Sequence, residues 1–207
     1  MADTATPLSP VKRTRRPAKE TKRLLVAAAG EVLVEKGGEL EMGDVAKRAG
    51  VSTALAHYHF GNKAGLLTAV VADFYARMDD AIIAVPYEGA RWIDREQARI
   101  RDLISFFLDE PLAPVIIGSL QNDPSLGPES AERARRVARL GALNIAQAQR
   151  EGDIDGRFDP ELLVSMILGG VMAGLTQAVS ATPRPNKAQV EDEIIGFVAR
   201  AAGQHWP

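Results

Sequence analysis

An all-α fold of about nine helices is what this sequence predicts. Apolar residues recur at helical spacing through most of the chain, and no run alternates with period two. Breakers such as Gly37-Gly38, Gly50, Gly61 and Pro111 fall between the periodic stretches. The 207 residues suffice for one or two compact domains with a sizeable core.

Residues 1–18 hold Pro7, Pro10 and Pro17 among Thr, Ser, Lys and Arg, and read as a disordered basic arm. From Lys19 the period is helical: Leu25, Ala28, Ala29, Val32 and Leu33 share a face, and Gly37-Gly38 end the helix. Met42 to Ala49 is a short helix stopped by Gly50. Ser52 caps the next, which runs to about Phe60, and Asn62 caps a longer one through about Ile83. Five further helices are expected near Asp94–Leu108, Leu112–Leu120, Glu129–Arg150, Glu161–Ser180 and Lys187–Ala202, separated by Pro111, Pro124, Gly152, Pro160, Pro183 and Pro185. Three small helices thus precede a larger bundle.

Composition excludes several classes of chemistry. With no cysteine there is no disulfide, no thiolate nucleophile and no Cys-ligated zinc or iron–sulfur centre. The net charge of −2 hides a division: residues 1–64 carry 11 Lys+Arg against 7 Asp+Glu, and residues 65–207 carry 14 against 20. A basic end on a balanced chain points to a local anionic partner. Leu24 to Ala29 is followed at once by Glu31 and reads as helix, not as a secretory leader. The apolar stretch from Leu162 to Leu175 is shorter than the ~20 residues a spanning helix needs. A cytoplasmic protein without membrane partners is expected.

The segment Met42 to Phe60 carries the functional signal. Two short helices joined by a turn at Gly50 make a helix-turn-helix, with small Ala46 where the helices approach and Val45, Ala49 and Val51 facing the first helix. At about 100° per residue, Thr53, Ala54, His57 and Tyr58 fall on one arc of the second helix. Leu55, Ala56, His59 and Phe60 fall on the other. The inward arc packs, with His59 read as a packed histidine; the outward arc is free to enter a major groove. Ser52, Thr53, Ala54, His57 and Tyr58 are therefore the candidate DNA contacts, with Lys47, Arg48 and Lys63 as phosphate partners. Arg13, Arg15 and Arg16 of the arm read equally as further phosphate partners or as a solubilising tail.

Leu25 to Val70 resembles the DNA-binding domain of the TetR (tetracycline-repressor-like) family of bacterial regulators. The shared features are Ala28-Ala29, Glu35-Lys36-Gly37, Asp44-Val45-Ala46, Ala49 to Ser52, an aromatic-rich end at Phe60, Lys63 and Leu66-Leu67. The chain departs from the family at Ala54, usually glycine, at Ala56, usually a large aliphatic, and at His57, usually tyrosine. Glu41-Met42 replaces the usual threonine cap. The resemblance implies a dimeric, ligand-responsive transcriptional regulator, in most cases a repressor, that binds a palindromic double-stranded DNA operator and is released by a small molecule. It divides the chain into residues 1–18 (arm), 19–64 (helix-turn-helix DNA-binding domain) and 65–207 (ligand-binding and dimerisation domain). The alternative is a small-molecule-binding or interaction module whose helix-turn-helix no longer reads DNA.

In the C-terminal part, the broad apolar helix with Leu163, Met166, Ile167, Gly170, Val171 and Gly174 is expected to pair with Ile194, Phe197 and Val198 in a homodimer interface. The same pattern fits an internal core pair. Phe106, Phe107, Ile116, Ile117 and Leu120, with Gln121, Asn144 and Gln147, could line a pocket for a partly apolar effector, or serve as core and surface. No catalytic site, metal site or cofactor is expected. His57 and His59 lie on nearly opposite faces of one helix, and neither a phosphate loop nor a nucleophile elbow occurs.

Overall fold

A computed structural model describes residues 17–120, 123 and 126–204. Most of the expected arm, including Arg13, Arg15 and Arg16, lies outside the described residues, as does Gln121. The described residues are all-α. Four helices, α1 (Ala18–Glu35), α2 (Met42–Ala49), α3 (Thr53–Phe60) and α4 (Lys63–Met78), precede the bundle of α5 (Trp92–Asp109), α6 (Gly127–Glu151), α7 (Pro160–Ser180) and α8 (Lys187–Ala201).

Local chemistry sets the boundaries. Gly50 ends α2 with φ 67°. The Val51 N–H donates to Ala46 O at 3.0 Å and the Gly50 N–H to Lys47 O at 3.2 Å, the paired bonds of a Schellman cap. Ser52, Asn62, Asp159 and Asn186 each cap the helix that follows through a side-chain oxygen. At α2 Glu41 makes no side-chain cap bond.

Two expectations are corrected. The long helix after Asn62 is α-helical only to Met78, and Asp79–Ile83 widen into a π-turn. Arg133 holds Asp79 at 2.8 Å, Arg136 bonds its other oxygen, and Arg133 also lies 4.0 Å over the Tyr75 ring. The segment Leu112–Leu120 is not a regular α-helix: it holds a π-turn at Val115–Ser119, and Pro111 and Pro114 have no N–H to extend a ladder.

The apolar core runs without a break from the small helices into the bundle. Leu25, Ala29 and Leu33 of α1 meet Val45 of α2, Ala56 of α3 and Leu66, Leu67 and Val70 of α4. Further along α4, Phe74 is fully buried, with its ring 5.3 Å from Phe106 and 5.9 Å from Phe107 in edge-on geometry. Each such side chain contributes about 1.5–3 kcal/mol by burial, and edge-on ring pairs add about 0.5–1.5 kcal/mol. Arg77 fastens the same end of α4 by bonding both Asp73 and Glu110. One helix therefore belongs to both cores.

Helix α7 has 21 residues, longer than its apolar stretch suggested, and by length and composition alone could cross a membrane. Its side chains Leu163, Val164, Ile167, Val171 and Leu175 are buried in this fold, and it packs on α5, α6 and α8.

Candidate nucleic-acid interface

Helix α3 rests on α2 through small residues. Ala46 and Ala56 are buried, which lets the two backbones approach, while Ala49, Val51, Leu55 and Phe60 are half-buried around them. On the opposite arc Thr53, Ala54, His57 and Tyr58 are all exposed, Tyr58 by 80%. His59 is half-buried, with its ring edge-on to Tyr58 at 5.2 Å. The two arcs read from the sequence are thus the packed and the open side of the helix.

The junction between α3 and α4 is the most constrained part of the site. Gly61 has φ 73° and ψ −66°, and across it the Asn62 N–H donates to Phe60 O at 2.8 Å. That is a γ-turn with positive φ at its centre, a rare and strained conformation. The Gly61 N–H donates to His57 O at 2.8 Å, and His57 Nδ1 lies 2.9 Å from Gly61 O, so residues 57 and 61 are tied twice. Asn62 Oδ1 then accepts from the Gly65 N–H at 3.0 Å. A Cβ on Gly65 would fall deep inside the van der Waals surface of the Phe60 carbonyl oxygen. Gly65 is thus required by close approach, a role that sequence reasoning missed. Its only signal was a glycine in the first turn of a helix already capped by Asn62.

The basic residues divide. Lys47 and Lys63 are exposed and make no ion pair among the described residues. Arg48, expected to attract phosphate, instead bonds Glu35 and lies 3.5 Å from Glu31. These carboxylates raise its pKa, with the Glu35 hydrogen bond the largest cause. Its charge is answered within the fold, and it ties α2 to α1.

A second tie joins the same helices. Lys36 Nζ donates to Asp44 Oδ2 at 2.5 Å. This bond, then the charges behind it, hold Asp44 below its ordinary range and raise Lys36. A depressed Asp44 contributes stability above the ordinary carboxylate pKa of about 3.9 and loses it as pH falls through the lowered value. A raised Lys36 contributes below the ordinary 10.5 and loses it as pH rises through the raised value. The tie is expected to hold throughout the neutral range, opening in acid below about pH 4 and again in alkali above the ordinary lysine value of 10.5. An NMR titration of the Asp44 carboxyl carbon measures this. A midpoint at or above the ordinary value would show that the pair does not form.

Comparison with known proteins fits this geometry. Residues 25–70 match the family described as bacterial regulatory proteins, tetR family. The small helices thus carry the sequence pattern of that family. Across 182 residues, 86% of this chain and 89% of the relative, it is 24% identical to the uncharacterized HTH-type transcriptional regulator YdgC of Bacillus subtilis (strain 168). Over 120 residues, 58% of this chain and 56% of the relative, it is 33% identical to the HTH-type transcriptional regulator BetI of Rhizobium meliloti (strain 1021). Among solved structures, AibR in complex with isovaleryl coenzyme A and operator DNA superposes with a TM-score of 0.67 at 18% identity, covering 86% of this chain and 97% of that one. Both relatives are HTH-type transcriptional regulators, and this chain carries a helix-turn-helix in the matched segment.

The bundle departs further from expectation. Phe107, Ile116, Ile117 and Leu120 are buried in the packed core. Asn144 Nδ2 donates to Glu96 at 2.8 Å, and Gln147 is exposed and bonded to Glu151 and Arg150. Phe106 lines an open groove of about 410 Å³ together with Ala81, Asp102, Ser105, Asp109 and Glu110. A larger groove of about 590 Å³ runs between α1, α4 and the turn Glu110–Leu112, lined by Val26, Gly30, Val34, Val70 and Arg77 among others.

The interface candidates also divide. Leu163, Ile167, Val171, Ile194 and Val198 are buried in the chain's own core. Met166 is 55%, Phe197 39% and Leu162 61% exposed. Gly170 sits directly beneath the Phe197 ring, and Gly174 lies beside Ile194. The outward stripe of α7 is thus Leu162, Met166, Gly169 and Ala173, continuous at Gly170 with Phe197.

Proposed function

We propose that this regulator is a cytoplasmic homodimeric repressor that binds a palindromic operator and is released by a partly apolar small molecule. Residues 19–64 supply the DNA-reading part and residues 65–207 the sensing and dimerising part, with α4 shared. The observation that carries the reading is the open arc of α3. It presents hydroxyls and an imidazole to solvent on a helix held rigidly at both ends, flanked by the exposed ammonium groups of Lys47 and Lys63. Uncharged hydrogen-bonding groups suit base edges, and the flanking charges suit phosphates. Two copies joined through the α7 stripe would present two such helices to half-sites one helical turn, or a multiple of it, apart.

Release follows from the double attachment of α4. Its first turn abuts the recognition helix, and its last is held by Glu110 through Arg77 and by Arg133 and Arg136 through Asp79. A ligand that shifts those partners tilts α4 and changes the spacing of the paired recognition helices. A coupling of about 1–3 kcal/mol is sufficient. The AibR complex, which holds a coenzyme A thioester and operator DNA, supports an effector and an operator for this chain as well.

The test is operator binding. The full-length protein should select a palindrome from a randomised duplex pool, with affinity falling steeply as salt rises. Replacing Thr53 and Tyr58 together by alanine should weaken binding about 10- to 100-fold while leaving circular dichroism and dimerisation unchanged. Unaltered affinity in that variant would remove the open arc from the interface.

A further inference from the structure

His57 stands where the family usually places a tyrosine, and the two side chains offer different chemistry at their tips. A phenol can donate or accept. What the imidazole offers depends on which nitrogen carries the proton, and here the protein fixes that choice. The γ-turn at Gly61 brings its carbonyl to 2.9 Å from His57 Nδ1. A carbonyl only accepts, so Nδ1 must be the N–H, and in the neutral ring Nε2 carries the lone pair. His57 is exposed on the same arc as Thr53, one helical turn away. Its tip is therefore an acceptor presented to whatever α3 enters.

We propose that His57 determines operator specificity by accepting, at Nε2, a hydrogen bond from the exocyclic amino group of an adenine or cytosine in the major groove. Phosphate oxygens only accept, so the neutral ring has nothing to offer them. In the groove, adenine N6 and cytosine N4 are the base donors. Gly61 is a positioning residue for this contact, since its turn sets the tautomer. The inference rests on the reading that α3 enters the major groove.

The test uses the full-length protein and palindromes selected from a random duplex pool. One position per half-site should require an amino-bearing base. Replacing that adenine by unsubstituted purine, or that cytosine by pyrimidin-2-one, should weaken wild-type binding about tenfold and leave His57→Ala unaffected. In the free protein at mildly alkaline pH, long-range proton–nitrogen NMR should show the Nδ1–H tautomer. A His57→Ala variant that selects the wild-type sequences, or loses affinity equally on every duplex, overturns the proposal, as does an Nε2–H tautomer. If the wild type selects no sequence at all, the DNA-reading proposal fails with it. If it selects one that His57→Ala also selects, only this inference fails.

Discussion

Gly65→Ala is expected to abolish sequence-specific DNA binding while leaving most of the helix content in place. The added methyl would enter space held by the Phe60 carbonyl oxygen, a backbone atom that cannot rotate aside. That oxygen also accepts the Asn62 N–H of the γ-turn, and the Asn62 side chain caps α4 on the Gly65 N–H. Relief of the clash has to break one of these bonds or move α3 relative to α4. Overpacking of this kind costs about 1–3 kcal/mol, with backbone clashes at the upper end. Chemical unfolding should register that loss, and operator affinity should fall by more than the Thr53/Tyr58 double variant, because every contact of α3 moves together. Gly43→Ala is the control. It lies in α2 with open space where the methyl would go, so it should gain about 0.5–1 kcal/mol from helix propensity and keep its DNA affinity. Full operator binding by Gly65→Ala would show that the junction is not rigid.

Replacing Leu162 and Met166 together by glutamate should give a folded monomer. Both side chains are more than half exposed and lie one turn apart on α7, so the change leaves the subunit core untouched. Across a two-fold axis it brings four carboxylates together where an apolar stripe was. Sedimentation should show the mass of one chain, with unchanged helicity. Operator affinity should drop by about 10²- to 10⁴-fold, because two linked half-site contacts become independent ones. If the variant still sediments as a dimer, the interface lies on another face, and exposed Leu140 and Leu143 of α6 become the next residues to change.

These two experiments concern features of unequal legibility. The helix-turn-helix was readable because its determinants are local. The bounds of α2, the Gly50 turn, the Ser52 and Asn62 caps and the two arcs of α3 all depend on residues within one or two turns of each other. The ion pairs of Arg48 were not legible because its carboxylates lie 13 and 17 positions earlier on another helix, and only the packed fold brings them within reach. The open face of α7 was harder to read because apolar side chains occur on every side of the helix. Periodicity cannot separate Leu162 from Leu163 when both are leucine, and only the positions of α6 and α8 do so. The pocket residues stay open in sequence for a related reason: an aromatic that lines a cavity and one that fills a core look alike. The π-turn at Asp79 needed knowledge of Arg133 and Arg136, more than 50 residues away.

The unbroken core through α4 limits how this regulator can be rewired. A chimera cut at residue 64 would strip Leu25, Val45 and Ala56 of Leu66, Leu67 and Val70, the side chains that complete their packing. The portable unit of DNA recognition therefore ends inside a helix. New operator preferences are within reach either by transferring the first half of α4 with the small helices, or by altering only Thr53, Ala54 and Tyr58, the exposed positions of α3 whose side chains do not hold the Gly61 turn. The second route changes what is read without disturbing the scaffold, so it is the path along which specificity can drift most freely.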